Sequence, residues 1–112
     1  SEFENPTVLN RNDASGERGI WAQNDIYSYW KVNFKKGTYD FKFKFKDSIT
    51  SKGTLFTEIN NRVYSKKTEK VVYSTLEMND ISIENSKVDL ISFLKVNNKK
   101  IFPFWIEIYK QN

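Results

Sequence analysis

Apolar and polar positions alternate with a period of two along nearly the whole chain, the signature of strands with one buried and one wet face. The clearest run is Thr38 to Lys46. There Tyr39, Phe41, Phe43 and Phe45 fall on one side and Asp40, Lys42, Lys44 and Lys46 on the other. From Ile26 to Phe34 the same rhythm sets Ile26, Trp30, Val32 and Phe34 against Tyr27, Tyr29 and Lys31. Lys35-Lys36-Gly37 between these runs is short enough for a hairpin, with Gly37 able to supply a positive φ.

Further strands are expected at Thr54 to Asn60, with Arg62 to Tyr64 extending or re-entering it, at Val71 to Met78 and at Ile81 to Ile83. After the polar turn Glu84-Asn85-Ser86-Lys87, Val88, Leu90, Leu94 and Val96 share one face of the next strand. Asn97-Asn98 predicts a tight turn into a last strand, Lys100 to Tyr109. Pro103 within it cannot donate to a ladder and belongs on an edge or at a bulge. No segment shows a helical period, an internal repeat or low complexity. About eight or nine short strands at this spacing predict an all-β fold, an antiparallel β-sandwich of jelly-roll type, with a five-stranded OB-like barrel as the alternative.

Length is compatible with one domain over residues 1–112 and one hydrophobic core. Nine Phe, six Tyr and three Trp suit strands. The chain holds no cysteine and no histidine. Their absence removes disulfides, thiolate ligands, imidazole general bases and the Ser-His-Asp triad in one step. Paired-carboxylate glycoside hydrolysis remains chemically open, though unusual in so short a chain. The net charge of +4 comes from lysines spread through the sequence, the pattern of a solvated surface. No apolar run approaches a membrane span and no signal peptide is visible. The chain starts on Ser1 without Met, which reads as a piece of a longer polypeptide.

Three constellations carry candidate chemistry. Trp21, Tyr27 and Tyr29 could form a stacking platform for sugar rings, or simply cover a sandwich edge. Around Asn10, the cluster Arg11, Asn12, Asp13, Glu17 and Arg18 could hold anionic groups and sugar hydroxyls, or pin the long irregular segment from Asn10 to Asn24. Asp13, Glu17 and Asp25 could lend oxygens to calcium, but their spacing matches no calcium loop. The lysine row Lys42, Lys44 and Lys46, with Lys35 and Lys36 nearby, suggests single-stranded nucleic acid. Against that, the aromatics of the same strand point the other way, and lysines commonly guard exposed strands against aggregation.

Two stretches resemble a known family when taken together. The first is Asn5-Pro6-Thr7-Val8-Leu9-Asn10-Arg11-Asn12-Asp13, then Gly19-Ile20-Trp21-Ala22-Gln23 and Ile26-Tyr27-Ser28-Tyr29-Trp30. The second is Lys36-Gly37-Thr38-Tyr39-Asp40-Phe41, with Ile101-Phe102-Pro103-Phe104 near the end. From Glu4 to about Tyr109 the chain resembles the small domain that follows the catalytic domain in arylsulfatases of Bacteroides-like bacteria. More loosely, the Gly37-Thr38-Tyr39 phrase and its alternating strand look like carbohydrate-binding jelly rolls.

The resemblance implies a periplasmic, exported or cell-surface parent in a Gram-negative bacterium that removes sulfate from esters. Such a parent works with a formylglycine made from Cys or Ser in a Cys/Ser-x-Pro-x-Arg motif, beside calcium. That motif is absent around Pro6 and Pro103, so no catalytic residue and no cofactor carries over. The expectation is a non-catalytic accessory domain. It would pack on the catalytic domain of its own chain, bind a sulfated or other glycan through Trp21, Tyr27, Tyr29, Arg11, Asn12, Asp13 and Arg18, or do both. A stand-alone carbohydrate-binding module is the alternative, and an OB-like nucleic-acid binder follows it.

Overall fold

A computed structural model describes residues 7–10, 15–16, 28–46, 48–60, 62–69, 75–84 and 87–111. They form an antiparallel β-sandwich of jelly-roll type. In chain order the strands are β1 (Thr7–Asn10), β2 (Ser15–Gly16), β3 (Ser28–Asn33), β4 (Gly37–Lys44), β5 (Gly53–Ile59), β6 (Arg62–Thr68), β7 (Thr75–Ile83), β8 (Lys87–Val96), β9 (Lys99–Ile101) and β10 (Trp105–Lys110). One sheet runs β1-β10-β4-β7, and the other β2-β3-β8-β5-β6 with β9 also on β8.

Alternation dictates the core. Phe41 and Phe43 on β4, Ile106 and Ile108 on β10, Leu55 on β5, and Leu90 and Leu94 on β8 are all buried between the sheets, together with Trp30 and Tyr39. The Tyr39 hydroxyl stays satisfied by donating to Lys35 O, while burial pushes its pKa up. Two buried hydroxyls are paired likewise: Ser92 Oγ donates to Phe56 O at 2.9 Å and lies 3.1 Å from Thr57 Oγ1. The open edges of β6 and β7 are tied by side chains, with Tyr64 Oη donating to Ser82 O at 3.1 Å and Lys66 Nζ to Glu77 O at 3.0 Å.

Several expectations change in detail. Of the two strands expected at Val71 to Met78 and Ile81 to Ile83, Val71 to Ser74 lie outside the described residues, and Thr75 to Ile83 is a single strand interrupted by a bulge opposite Asp40. There Asp80 takes a φ of 60° and donates its backbone N–H to Asp40 Oδ1 at 3.0 Å. Arg62 to Tyr64 continues to Thr68 as the hairpin partner of β5. Its faces are mostly exposed, which hid the alternation. The link Lys35-Lys36-Gly37 is no hairpin, because β3 and β4 lie in different sheets, and Gly37 does not use positive φ. It sits where an added Cβ would come 3.0 Å from Lys110 Cε, while Asn97 (50°) and Asn98 (65°) supply the left-handed turn between β8 and β9.

The largest correction concerns Lys100 to Tyr109, which is two strands and not one. β9 pairs with β8 in one sheet and β10 with β1 and β4 in the other, so the chain changes sheets at Phe102-Pro103-Phe104. A proline, lacking an N–H, fits this crossing because neither ladder asks it for a donor. Phe104 then re-enters by donating its N–H to Lys44 O at 2.6 Å.

Candidate functional site

Of the residues singled out from the sequence, Arg11, Asn12, Asp13, Arg18, Trp21 and Tyr27 lie outside the described residues, as do Glu17 and Asp25. Tyr29 is described: it is half-buried on β3, facing away from the core beside the buried Trp30.

The described aromatic group with polar partners lies elsewhere, on the outer face of the four-stranded sheet. On β10, Ile106 and Ile108 point into the core, so period two turns Trp105, Glu107 and Tyr109 outward. Both rings are tethered to one carboxylate. Trp105 Nε1 donates to Glu107 Oε2 at 2.9 Å, and Tyr109 Oη donates to Glu107 Oε1 at 2.6 Å. These two donors, the Tyr109 hydroxyl first, together with the nearby Lys42 charge, hold the Glu107 carboxyl below the usual glutamate range. The same bond to Glu107 holds the Tyr109 hydroxyl above the usual tyrosine range. The carboxylate therefore fixes the tilt of two rings on either side of it.

Register completes the surface. Glu107 stands opposite Lys42, which stands opposite Glu77; Trp105 stands opposite Lys44. Tyr109 pairs with Asp40, and on the other flank exposed Val8 pairs with Glu107. Phe104 is also exposed, its ring 5.8 Å from that of Trp105. Between Tyr109 and β7 a shallow depression of about 390 Å³ is lined by Asp40, Phe41, Lys42, Glu77, Asn79 and Tyr109. The aromatics of β4 point into the core, as alternation predicts, yet lysines and aromatics share this outer face, because its rings come from β10 and its lysines from β4.

The outer face thus offers flat apolar rings beside a rim of carboxylates, an amide and an ammonium, with both signs of charge interleaved. Such a surface can stack on a sugar ring and exchange hydrogen bonds with its hydroxyls. Asp40 Oδ1 and Asp80 Oδ1 do converge, at 2.7 and 2.8 Å from Gln111 Nε2, but the protein's own amide nitrogen occupies the space between them. Among the described residues no group of three or more acidic, Cys or His side chains is placed to hold a metal ion, and no helix is long and apolar enough to cross a membrane.

No protein-family model matches the chain, and no curated protein matches it. Among solved structures, the chain is similar to the CBM36-1 domain of a multidomain xylanase from the hindgut metagenome of Trinervitermes trinervoides. That similarity has a TM-score of 0.65 at 9% identity, over 96% of this chain and 99% of that one. The likeness establishes a shared β-sandwich fold along essentially the full length of both.

Sequence reasoning passed over Trp105, Glu107 and Tyr109, although a signal was present. Trp105-Ile106-Glu107-Ile108-Tyr109 alternates perfectly, and two aliphatic residues claim the core side, which leaves two aromatics and an acid for the water side.

Proposed function

We propose that this domain is a non-catalytic carbohydrate-binding module whose ligand face is the outer surface of the four-stranded sheet. The observation that carries the proposal is the Trp105–Glu107–Tyr109 arrangement, two outward rings whose polar edges are bound by a carboxylate between them. With those edges occupied, the rings offer their faces to the apolar faces of pyranoses. Asp40, Lys42, Glu77 and Asn79 line the neighbouring depression as hydroxyl partners. Interleaved charge makes a neutral polysaccharide the fitting ligand, since a ligand anion would meet Glu107, Glu77 and Asp40. Fold likeness to a CBM36 carbohydrate-binding domain supports the same conclusion.

The test is affinity electrophoresis in gels containing neutral glucan, mannan or xylan. Removing one stacking ring, by Trp105→Ala or separately Tyr109→Ala, is expected to weaken retardation about tenfold while leaving the melting temperature nearly unchanged. Migration unaffected by all three polysaccharides, or retardation unaltered in both folded variants, refutes the assignment.

The resemblance to arylsulfatase C-terminal domains adds the proposal that the module is carried beside a sulfatase catalytic domain. A Cys/Ser-x-Pro-x-Arg motif encoded upstream in the same gene would support that parentage.

A further inference from the structure

The opposite face of the sandwich carries a different arrangement. On the six-stranded sheet, Leu55 and Thr57 of β5 and Leu90, Ser92 and Leu94 of β8 point inward, so Thr54, Phe56, Phe93 and Lys95 point outward. Register then places Lys100 opposite Lys95, Lys95 opposite Thr54, and Thr54 opposite Lys67, a single row across β9, β8, β5 and β6. All three lysines are exposed, and no carboxylate among the described residues pairs with them. Lys95 and Lys100 face each other directly, an arrangement of like charges that costs stability in a sheet. In the next row Phe56 and Phe93 stand opposite each other with rings 5.4 Å apart, and Phe102 packs 6.0 Å from Phe93.

We infer that this row is a second binding site, separate from the Trp105 face, that takes an acidic polysaccharide. Three cations in line across four strands, spanning about 14 Å at the usual strand spacing, complement a linear polymer with regularly repeated anions. Anions bridging Lys95 and Lys100 relieve the repulsion between them. The Thr54 hydroxyl lies in the row to meet sugar hydroxyls, and the phenylalanine row beside it forms an apolar flank.

Single-stranded nucleic acid fits less well, because it needs open ring faces for its bases. Phe102 is buried, the Lys100 ammonium already covers Phe93 at 4.9 Å, and Phe56 leans on Phe93. The inference does not depend on the Trp105 face binding sugar.

Affinity electrophoresis of the whole domain at low and moderate salt tests it. The probes are dextran sulfate, polygalacturonate, uncharged dextran, oligothymidylate and poly-L-glutamate. Retention on dextran sulfate or polygalacturonate, well above that on the other three, is expected, and comparing those two separates a sulfate from a carboxylate ligand. Affinity should fall with salt at a log–log slope of about two to three, near one per lysine. The double variant Lys95→Glu/Lys100→Glu, altering only exposed side chains, should lose retention at least tenfold, whereas Trp105→Ala should keep it. No retention at low salt overturns the inference. So does equal or stronger retention on oligothymidylate or poly-L-glutamate, indifference to the double charge reversal, or loss of polyanion binding in a folded Trp105→Ala domain. Because polyanion binding is read as the excess over uncharged dextran and with a different variant, either site can fail without the other.

Discussion

The two outer faces of this sandwich are made from the same few residue types, aromatics, lysines and an occasional acid, yet they are organised in opposite ways. On the four-stranded sheet the rings of Trp105 and Tyr109 are held apart by Glu107, and lysines alternate with carboxylates across the register. On the six-stranded sheet the rings of Phe56, Phe93 and Phe102 pack on one another, and the lysines are segregated into a neighbouring row. Composition alone would rank the faces as equivalent. What separates them is neighbourhood: a carboxylate between two rings yields a hydroxyl-reading surface, whereas lysine opposite lysine yields an anion-reading one.

The largest effect should come from removing what both faces stand on. Phe41 is almost wholly buried on β4, its ring 6.1 Å from that of Phe43 and 6.4 Å from that of Phe34. Phe41→Ala is expected to cost about 3–5 kcal/mol in urea denaturation, the usual range for a large core truncation. Binding on both faces should be lost together. If one face kept its ligand at full affinity in the destabilised variant, the two would not share a common support.

Gly53→Ala should discriminate between the faces. A Cβ at Gly53 would lie 2.7 Å from the backbone oxygen of Lys95 and 2.8 Å from Val96 Cγ2, so β5 and β8 must move apart where the lysine row crosses them. Overpacking of this kind costs about 1–3 kcal/mol. The disturbance should appear as amide shift changes around Thr54, Lys95 and Lys100, with weakened polyanion retention and nearly unchanged neutral-glycan retention. Equal shifts around Trp105 would contradict the independence of the two faces.

The smallest effect is the most specific. Glu107 has a depressed pKa in the folded chain, so its contribution is complete above the unfolded value and fades as pH falls through the folded one, below the ordinary glutamate range. Tyr109 has a raised pKa, so its part is complete below the ordinary tyrosine value and fades only above it. Neutral-glycan retention should accordingly stay flat between these limits and drop at the acid one, while dextran sulfate retention should show no drop there. Glu107→Gln should weaken neutral-glycan binding by about twofold to fivefold and let Tyr109 titrate nearer the ordinary tyrosine value, read by ultraviolet absorbance. An unchanged Tyr109 titration would show that the carboxylate does not hold that ring.

Much of this was legible along the chain. Period two alone assigns Phe41 and Phe43 inward and Lys42 and Lys44 outward, and the side chains stand that way because successive residues of a strand point to opposite faces. Asn97-Asn98 announced its turn, since asparagine tolerates the left-handed region. Lys100 to Tyr109 reads as one strand because the apolar run from Ile101 to Ile106 offers no polar break at the crossing, and periodicity does not record which sheet a strand joins. The residues around Trp21 stand out by composition, whereas Trp105 and Tyr109 are hidden inside a strand whose pattern reads as scaffold.

By itself, then, the order of residues determined the strand-rich architecture, the inward and outward sides of the central strands such as β4 and β8, and the exclusion of imidazole and thiol chemistry. These are local properties, set by each side chain and its immediate neighbours. Only the tertiary structure decided that Lys42 would stand opposite Glu107, that Lys95 would face Lys100, and that the chain would cross between sheets at Pro103. Pairing in a sheet depends on which distant strand lies alongside and in what register. That choice is made by the whole core at once, and it turned one alphabet of residues into two unlike surfaces.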